Sequence, residues 1–331
     1  MHSDGFERWL PVSFNFKSPV PSVSWLDFGS ILLSDPFYDQ TIWNIRSSSR
    51  LVTERNTSIE ELVQLADSFP PIEPAGIIFH ISRCGSTLLT NVLKAGGECT
   101  VLSEAPLIDC LVQQDKFQGI SVGVEGLENT RRRLLQAVIS LYTACFGLQV
   151  VIKAHTTNMM HISRLRLIWP WVPFIVNIRN PVEVMASNLA KPSDMMRSIL
   201  TPYTSHNVFG FTGPETRQMS MEEYCARCLG KLLEAANAQL DDRCWVLDFK
   251  NMGIENIYKM AHLLNVRMPE TNAEQITNAF LVYSKDRSGE SLYESDSDQK
   301  QRESPPSVHS LAAQWTLESY QRLLDTPRSL I

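Results

Sequence analysis

The sequence predicts a doubly wound α/β unit, a parallel sheet flanked by helices, with an N-terminal extension over 1–74 and a lid-like insertion over 191–220. Three observations carry this. Short unbroken Val/Ile runs recur after residue 75, the pattern of strands buried on both faces rather than of half-exposed strands that alternate. Each run is followed by a segment with helical spacing, which is how parallel strands are connected. The first run passes directly into a small-residue turn that opens a helix.

Residues 1–74 mix short apolar runs with turn formers, carry one predicted helix over 58–68, and end at Pro70, Pro71 and Pro74, which break regular structure. The extension is expected to pack on the main unit, 75–331. That unit reads as strand 76–81, helix 86–95, strand 100–102, helices 106–114 and 128–146, strand 149–153, helix 158–169, strand 174–178 and helix 182–189. Residues 191–220 lack periodicity and combine Pro192, Gly210, Gly213 and Pro214 with Met195, Met196, Phe209 and Phe211. A connection that long inside a compact unit, rich in apolar side chains, is read as a lid. Helix 221–240, strand 245–249 and helices 254–264 and 272–280 follow, then a polar, flexible segment over 284–306 and a final amphipathic helix over 310–324.

Composition excludes several classes. The 331 residues are 44% hydrophobic, enough for a large core without disulfides. No apolar run is long enough to cross a bilayer and neither end has a basic-then-apolar layout, so no membrane partner is expected and the chain reads as cytoplasmic. A formal charge of −6 argues against a nucleic-acid partner. The seven scattered cysteines fit a reducing compartment, and the lone C-x-x-C, Cys225 and Cys228, lacks the second ligand pair that a zinc site needs; no metal is expected. Arg131-Arg132-Arg133 reads as a solvated helix face.

The strongest signal is the run from Gly76 through Ser82-Arg83-Cys84-Gly85-Ser86-Thr87-Leu88. Backbone N–H groups in a strand-to-helix turn, added to the helix N-terminus, favour a phosphate. Against the P-loop-type template G-x-x-x-x-G-K-[ST], Gly85 and Thr87 are kept, but His80 replaces the first glycine and Ser86 the lysine. The usual lysine is gone, and a cation appears inside the loop at Arg83, where a guanidinium can hold an anionic group bidentately. Two further groups end predicted strands, where open α/β sheets place their ligands. Lys153 can neutralise charge building on a leaving oxygen and His155 can take a proton, or the pair is an exposed lysine beside a hydrogen-bonded histidine. Arg179, with Ser187 in the following helix, suits a second phosphate, or is a surface arginine capping a turn. Glu104 also ends a strand at the crevice, where a helix-capping carboxylate would look the same.

Together, the loop 82–89, Lys153-Ala154-His155, and Arg179-Asn180-Pro181 followed by Ser187 resemble the sulfotransferases that use 3′-phosphoadenosine 5′-phosphosulfate (PAPS) and release the bisphosphate PAP, over about 75–290. The resemblance implies sulfuryl transfer to a hydroxyl or nitrogen of a small-molecule acceptor, with no metal required. It implies that Arg83, Cys84, Gly85, Ser86, Thr87 and Leu88 bind the 5′-phosphosulfate, that Arg179 and Ser187 bind the 3′-phosphate, and that Lys153 serves the leaving group. The base is His155 by likeness to the cytosolic members, or Glu104 by likeness to the branch with an arginine in its loop. Phe249 would lie near the adenine, and Ser284, Lys285 and Arg287 would close over the 3′-phosphate. Leu88 stands where cytosolic members have Trp, and no R-K-G-x-x-G motif is present. The competing readings are a P-loop small-molecule kinase and a nucleotide-binding protein without chemistry.

Overall fold

A computed structural model describes residues 9–48, 53–113, 124–197, 199, 206–281 and 296–330. Two sheets organise them. The first is antiparallel, in the order β1 (Trp9–Asn15), β2 (Ser22–Asp27), β3 (Glu54–Ser58). The second holds β4 (Gly76–His80), β5 (Cys99–Ser103), β6 (Gln149–Lys153), β7 (Phe174–Ile178), β8 (Cys244–Asp248) and β9 (Ser329–Leu330), all parallel, in the order β5-β6-β4-β7-β8-β9.

The unbroken apolar runs are explained by what each face of the parallel sheet meets. Alternate residues of one strand enter different cores: Ile77 and Phe79 of β4 face one, Ile78 the other; Val150 and Ile152 of β6 face one, Val151 the other. The smaller core is closed by α3 (Ser86–Gly96), α12 (Ile254–Leu263) and α13 (Ala273–Leu281). The larger is closed by α4 (Pro106–Val112), α5 (Val124–Phe146), α6 (Ile162–Ile168), α7 (Pro181–Ala190) and α11 (Met221–Asn237). A strand covered on both sides has no solvent face to mark with polar residues.

The sequence reading missed the antiparallel sheet of the extension. β1 carries a proline and a bulge between Pro11 and Ser13, and β3 (Glu-Arg-Asn-Thr-Ser) is polar along its length, so neither alternates cleanly. Leu10, Trp25 and Phe28, with Ile42 of α1 (Tyr38–Arg46) and Leu62 of α2 (Ile59–Ala66), nevertheless join the larger core. Tyr38 and Tyr142 lock the two parts together. Their hydroxyls are 2.6 Å apart and the Tyr142 hydroxyl donates to the Pro11 carbonyl at 3.0 Å, all out of contact with water.

Other expectations are revised. The helix expected over 158–169 begins as a tight turn, Thr156–His161, before α6, because Thr156 and Thr157 are β-branched and the His155 ring takes the Thr157 amide. The final helix is two, α15 (Pro306–Trp315) and α16 (Leu317–Leu324). They break at buried Thr316, whose hydroxyl donates to the Ala312 carbonyl at 2.7 Å. The break is seated on α11 at Gly230, where a Cβ would lie 2.4 Å from the Trp315 carbonyl oxygen. Within the segment expected to be flexible, 296–306 carries a helix, α14 (Ser297–Glu303), held against α7 where Gln301 Nε2 meets Glu183 Oε1 at 2.6 Å. Within 191–220, the described residues form short helices α8 (Asp194–Arg197), α9 (His206–Phe209) and α10 (Gly213–Gln218), and Met195, Met196 and Phe209 are buried. Arg131 is fully buried and donates to the Leu111 and Val112 carbonyls at the end of α4, not to solvent. Cys225 and Cys228 are free, buried thiols. Among the described residues, no helix is long and apolar enough to cross a membrane.

Tyr142→Phe removes both hydroxyl contacts of the Tyr38–Tyr142–Pro11 chain while keeping the ring. Denaturant unfolding is expected to show a loss of about 1–3 kcal/mol, the usual cost of stranding buried hydrogen-bonding groups.

Candidate active site

The parallel order puts β4 at the switch point, between β6 and β7. The chain leaving β4 runs through α3 to β5 on one side, whereas the chain leaving β7 runs to β8 on the other, so a crevice opens at the strand ends. The loop leaving β4 turns sharply: Ser82, Arg83 and Gly85 have φ of 67°, 50° and 80°. Two left-handed non-glycine residues in succession are costly and persist only where the surroundings impose them. Here the Asn177 side chain, buried on β7, donates to the Cys84 carbonyl at 3.0 Å and the Leu247 carbonyl at 3.2 Å, tying the loop to the sheet. A Cβ on Gly85 would lie 2.5 Å from the Phe249 ring, so this position needs glycine for both its φ and its space. Turned amides followed by a helix N-terminus form an anion site.

The missing lysine of the loop is supplied from the next strand. Lys153, the last residue of β6, is 1% exposed and places Nζ 3.2 Å from Thr87 Oγ1, in the first turn of α3. Its other partner is Glu104 Oε1, at 2.6 Å. Glu104 follows β5 with φ +54°, a left-handed residue at a strand end, and its amide donates to the Lys153 carbonyl at 2.8 Å. Burial pushes the Glu104 carboxyl up, but Lys153, His80 and His155 outweigh it and hold it well below the usual carboxylate range. Phe37, from the extension, lays its ring 4.8 Å from Lys153 Nζ.

A cavity of about 560 Å³ opens in front of this pair, lined by Arg83, Ser86, Thr87, Glu104 and His155 among the expected residues. The extension adds Phe37 and Asp39, and the 191–220 segment adds Lys191, Asp194 and Met195. Arg83 also donates to the Lys191 carbonyl, joining loop to insertion. His155, two residues beyond the end of β6, turns Nδ1 onto Thr157, 2.9 Å from its hydroxyl and 3.4 Å from its amide, as a cap. The side chains of Cys84 and Leu88 are buried, and burial pushes the Cys84 thiol up, so these two can face a ligand only through their backbone.

Arg179 lies on the far side of the loop. It packs over the Phe249 ring at 4.2 Å and donates to the Arg83 carbonyl at 3.4 Å, to Glu183 at 2.6 Å, and to Asp296 and Ser297 at 2.9 and 3.2 Å. Ser187 bonds back to the Glu183 carbonyl at 2.8 Å within α7. Ser284, Lys285 and Arg287 lie outside the described residues.

Two residues escaped the sequence reading. Asp296 was hidden in a polar segment of low complexity. His80 left a signal: it is the one polar side chain in the otherwise apolar β4, and it is buried 3.4 Å from Glu104. Among the described residues, no group of three or more His, Cys, Asp or Glu side chains is arranged to hold a metal ion.

No family model matches the chain and no curated protein matches it. The solved structures it is similar to include a sulfotransferase from Mycobacterium tuberculosis H37Rv, 13% identical over 65% of this chain and 75% of that one, with a TM-score of 0.41. A sulfotransferase from Mycobacterium avium is 12% identical over 78% and 81% of the two chains, with a TM-score of 0.43. The sulfotransferase domain of the curacin biosynthetic pathway is 14% identical over 77% and 97%, with a TM-score of 0.41. At TM-scores below 0.5 these likenesses carry no assignment of their own, and the chemistry rests on the residues of the site.

Proposed function

We propose that the chain is a PAPS-dependent sulfotransferase acting on a hydroxyl or nitrogen of a small-molecule acceptor. The observation that carries this is the meeting of Lys153, Glu104 and Thr87 within hydrogen-bond distance at the start of α3, beside a turn built to receive an anion. A general base on the cavity wall thus holds, just behind it, a cation that can serve a leaving oxygen.

The residues fit a nucleotide with anionic groups at two separated points. Arg83, Lys153, the Ser86 and Thr87 hydroxyls and the loop amides surround one point. Arg179 and Phe249 form the other, where the Asp296 carboxylate already sits on the guanidinium as a built-in stand-in for an anion. When bound, the donor supplies the sulfuryl group and leaves as PAP. Glu104 takes the proton of the acceptor hydroxyl or amine, since its carboxylate lines the cavity while the Nδ1 of His155 is spent on a cap. Lys153 moves from Glu104 to the oxygen on which charge develops, a path shortened by its existing bond to Thr87. Arg83, on the cavity wall, would hold oxygens of the transferred group. Catalysis is then mainly positioning and fixed charge, as in phosphoryl transfer.

Lys153→Ala is expected to lower kcat about 10²–10³-fold in a radiolabelled sulfate-transfer assay on a panel of acceptors, with little change in donor KM; unchanged kcat defeats the assignment. Calorimetry with PAP, against Mg²⁺·ATP as the kinase control, tests the second pole. Arg179→Ala is expected to weaken PAP binding about 10- to 100-fold. Asp296→Ala, by removing the competing carboxylate, is expected to tighten it by up to about fivefold. Equal PAP affinity in all three proteins, or preference for Mg²⁺·ATP, would contradict this reading.

A further inference from the structure

We propose that His80 is the positioning residue for Glu104, presenting a fixed Nε2–H to the carboxylate so that it stays aimed at the acceptor when Lys153 leaves it for the donor. The argument begins with the ring's other nitrogen. The Ser82 amide can only donate, and it points at Nδ1 from 3.2 Å; the Thr156 hydroxyl lies 3.3 Å from the same atom. Nδ1 is therefore an acceptor, and the proton of a neutral ring sits on Nε2. Burial pushes the His80 imidazolium down and keeps the ring neutral.

Nε2 then lies 3.4 Å from Glu104 Oε1, a long approach, and meets no other hydrogen-bond partner among the described residues. Its length follows from Lys153, which holds the same oxygen at 2.6 Å. Removal of the ammonium leaves Glu104, strained at φ +54°, with the imidazole N–H 3.4 Å away as a donor able to take up the vacated oxygen. The other titratable groups that bear on Glu104 are Lys153 and His155, and Arg83, Asp39 and Asp109 line the same cavity. His80 is the only one of these set in β4 itself, with its ring clamped by the turn that also forms the anion site. A donor-filled loop and an aimed base are thus tied through one side chain.

The kinetic consequence rests on the sulfuryl-transfer reading; the contact does not. In ¹⁵N spectra of the histidine-labelled full chain at neutral pH, His80 is expected as the neutral Nε2–H tautomer, and its Nε2 resonance is expected to move in Glu104→Gln while Nδ1 stays. A protonated ring, an Nδ1–H tautomer or an unmoved Nε2 overturns the proposal whether or not the protein transfers sulfate. In turnover, His80→Leu is expected to lower kcat about 10- to 100-fold at unchanged donor KM. Loss of a donor to the carboxylate destabilises its charged form, so the acid limb of the kcat profile should move to higher pH. His80→Gln, which can restore an N–H near the Nε2 position, is expected to recover part of kcat and return the limb toward wild type. An acid limb unmoved in His80→Leu, or a Gln variant no better than Leu while both bind PAP as wild type does, overturns it. A wild-type protein that transfers no sulfate defeats the sulfotransferase reading and leaves the tautomer result standing.

Discussion

The buried ion pair between Lys153 and Glu104 is the constraint around which the site is arranged. Two charges at 2.6 Å, one fully and one largely removed from water, are tolerated only if each is fixed and further bonded, because desolvation costs several kcal/mol per ion. The chain meets this with the ends of three adjacent strands. β6 carries the lysine, β5 the carboxylate, and β4 delivers both His80 and the helix whose Thr87 hydroxyl takes the lysine's second bond. A pair held in this way is ready to separate once an anion offers the lysine a better partner.

Arg179 is built by a similar logic with a different outcome. Its guanidinium is satisfied by Glu183 in the first turn of α7 and by Asp296 and Ser297 at the start of α14, and Glu183 is bonded in turn by Ser297 and Gln301. Glu183 is 4% exposed and belongs to the framework, whereas the Asp296 side chain is nearly half exposed, as the proposed exchange for a bound anion requires. The two poles are joined by the turn from Ser82 to Gly85, which touches the cavity through Arg83 and packs beneath Phe249 at Gly85. The antiparallel sheet of the extension, anchored by Tyr38 and Tyr142, brings Phe37 against Lys153 and so completes one wall.

Much of this was legible from residue order. Strands β6 and β7 match their predicted bounds, and β4, β5 and β8 match within a residue or two, because continuous Val/Ile runs have little alternative in a chain of this kind. The Ser82–Leu88 turn and the strand-end positions of Glu104, Lys153 and Arg179 were also visible, since local pattern alone places a residue at a strand end. Pairings were not. Nothing in the order of residues brings Lys153 to Glu104 rather than to His155, sets Asp296 on Arg179, or places the arginine of a charged triplet, Arg131, under the end of α4.

The sequence by itself determined the sheet, its crevice and the cations and carboxylate that border it, because those follow from hydrophobic period and from the chemistry of a strand-to-helix turn. Tertiary structure alone decided which charges neutralise one another, that His80 lies behind the carboxylate, and that α14 covers Arg179. The physical reason is that side-chain pairs such as Lys153–Glu104 and Arg179–Asp296 join residues 49 and 117 positions apart, and their partners are chosen by strand order and by desolvation rather than by any local pattern.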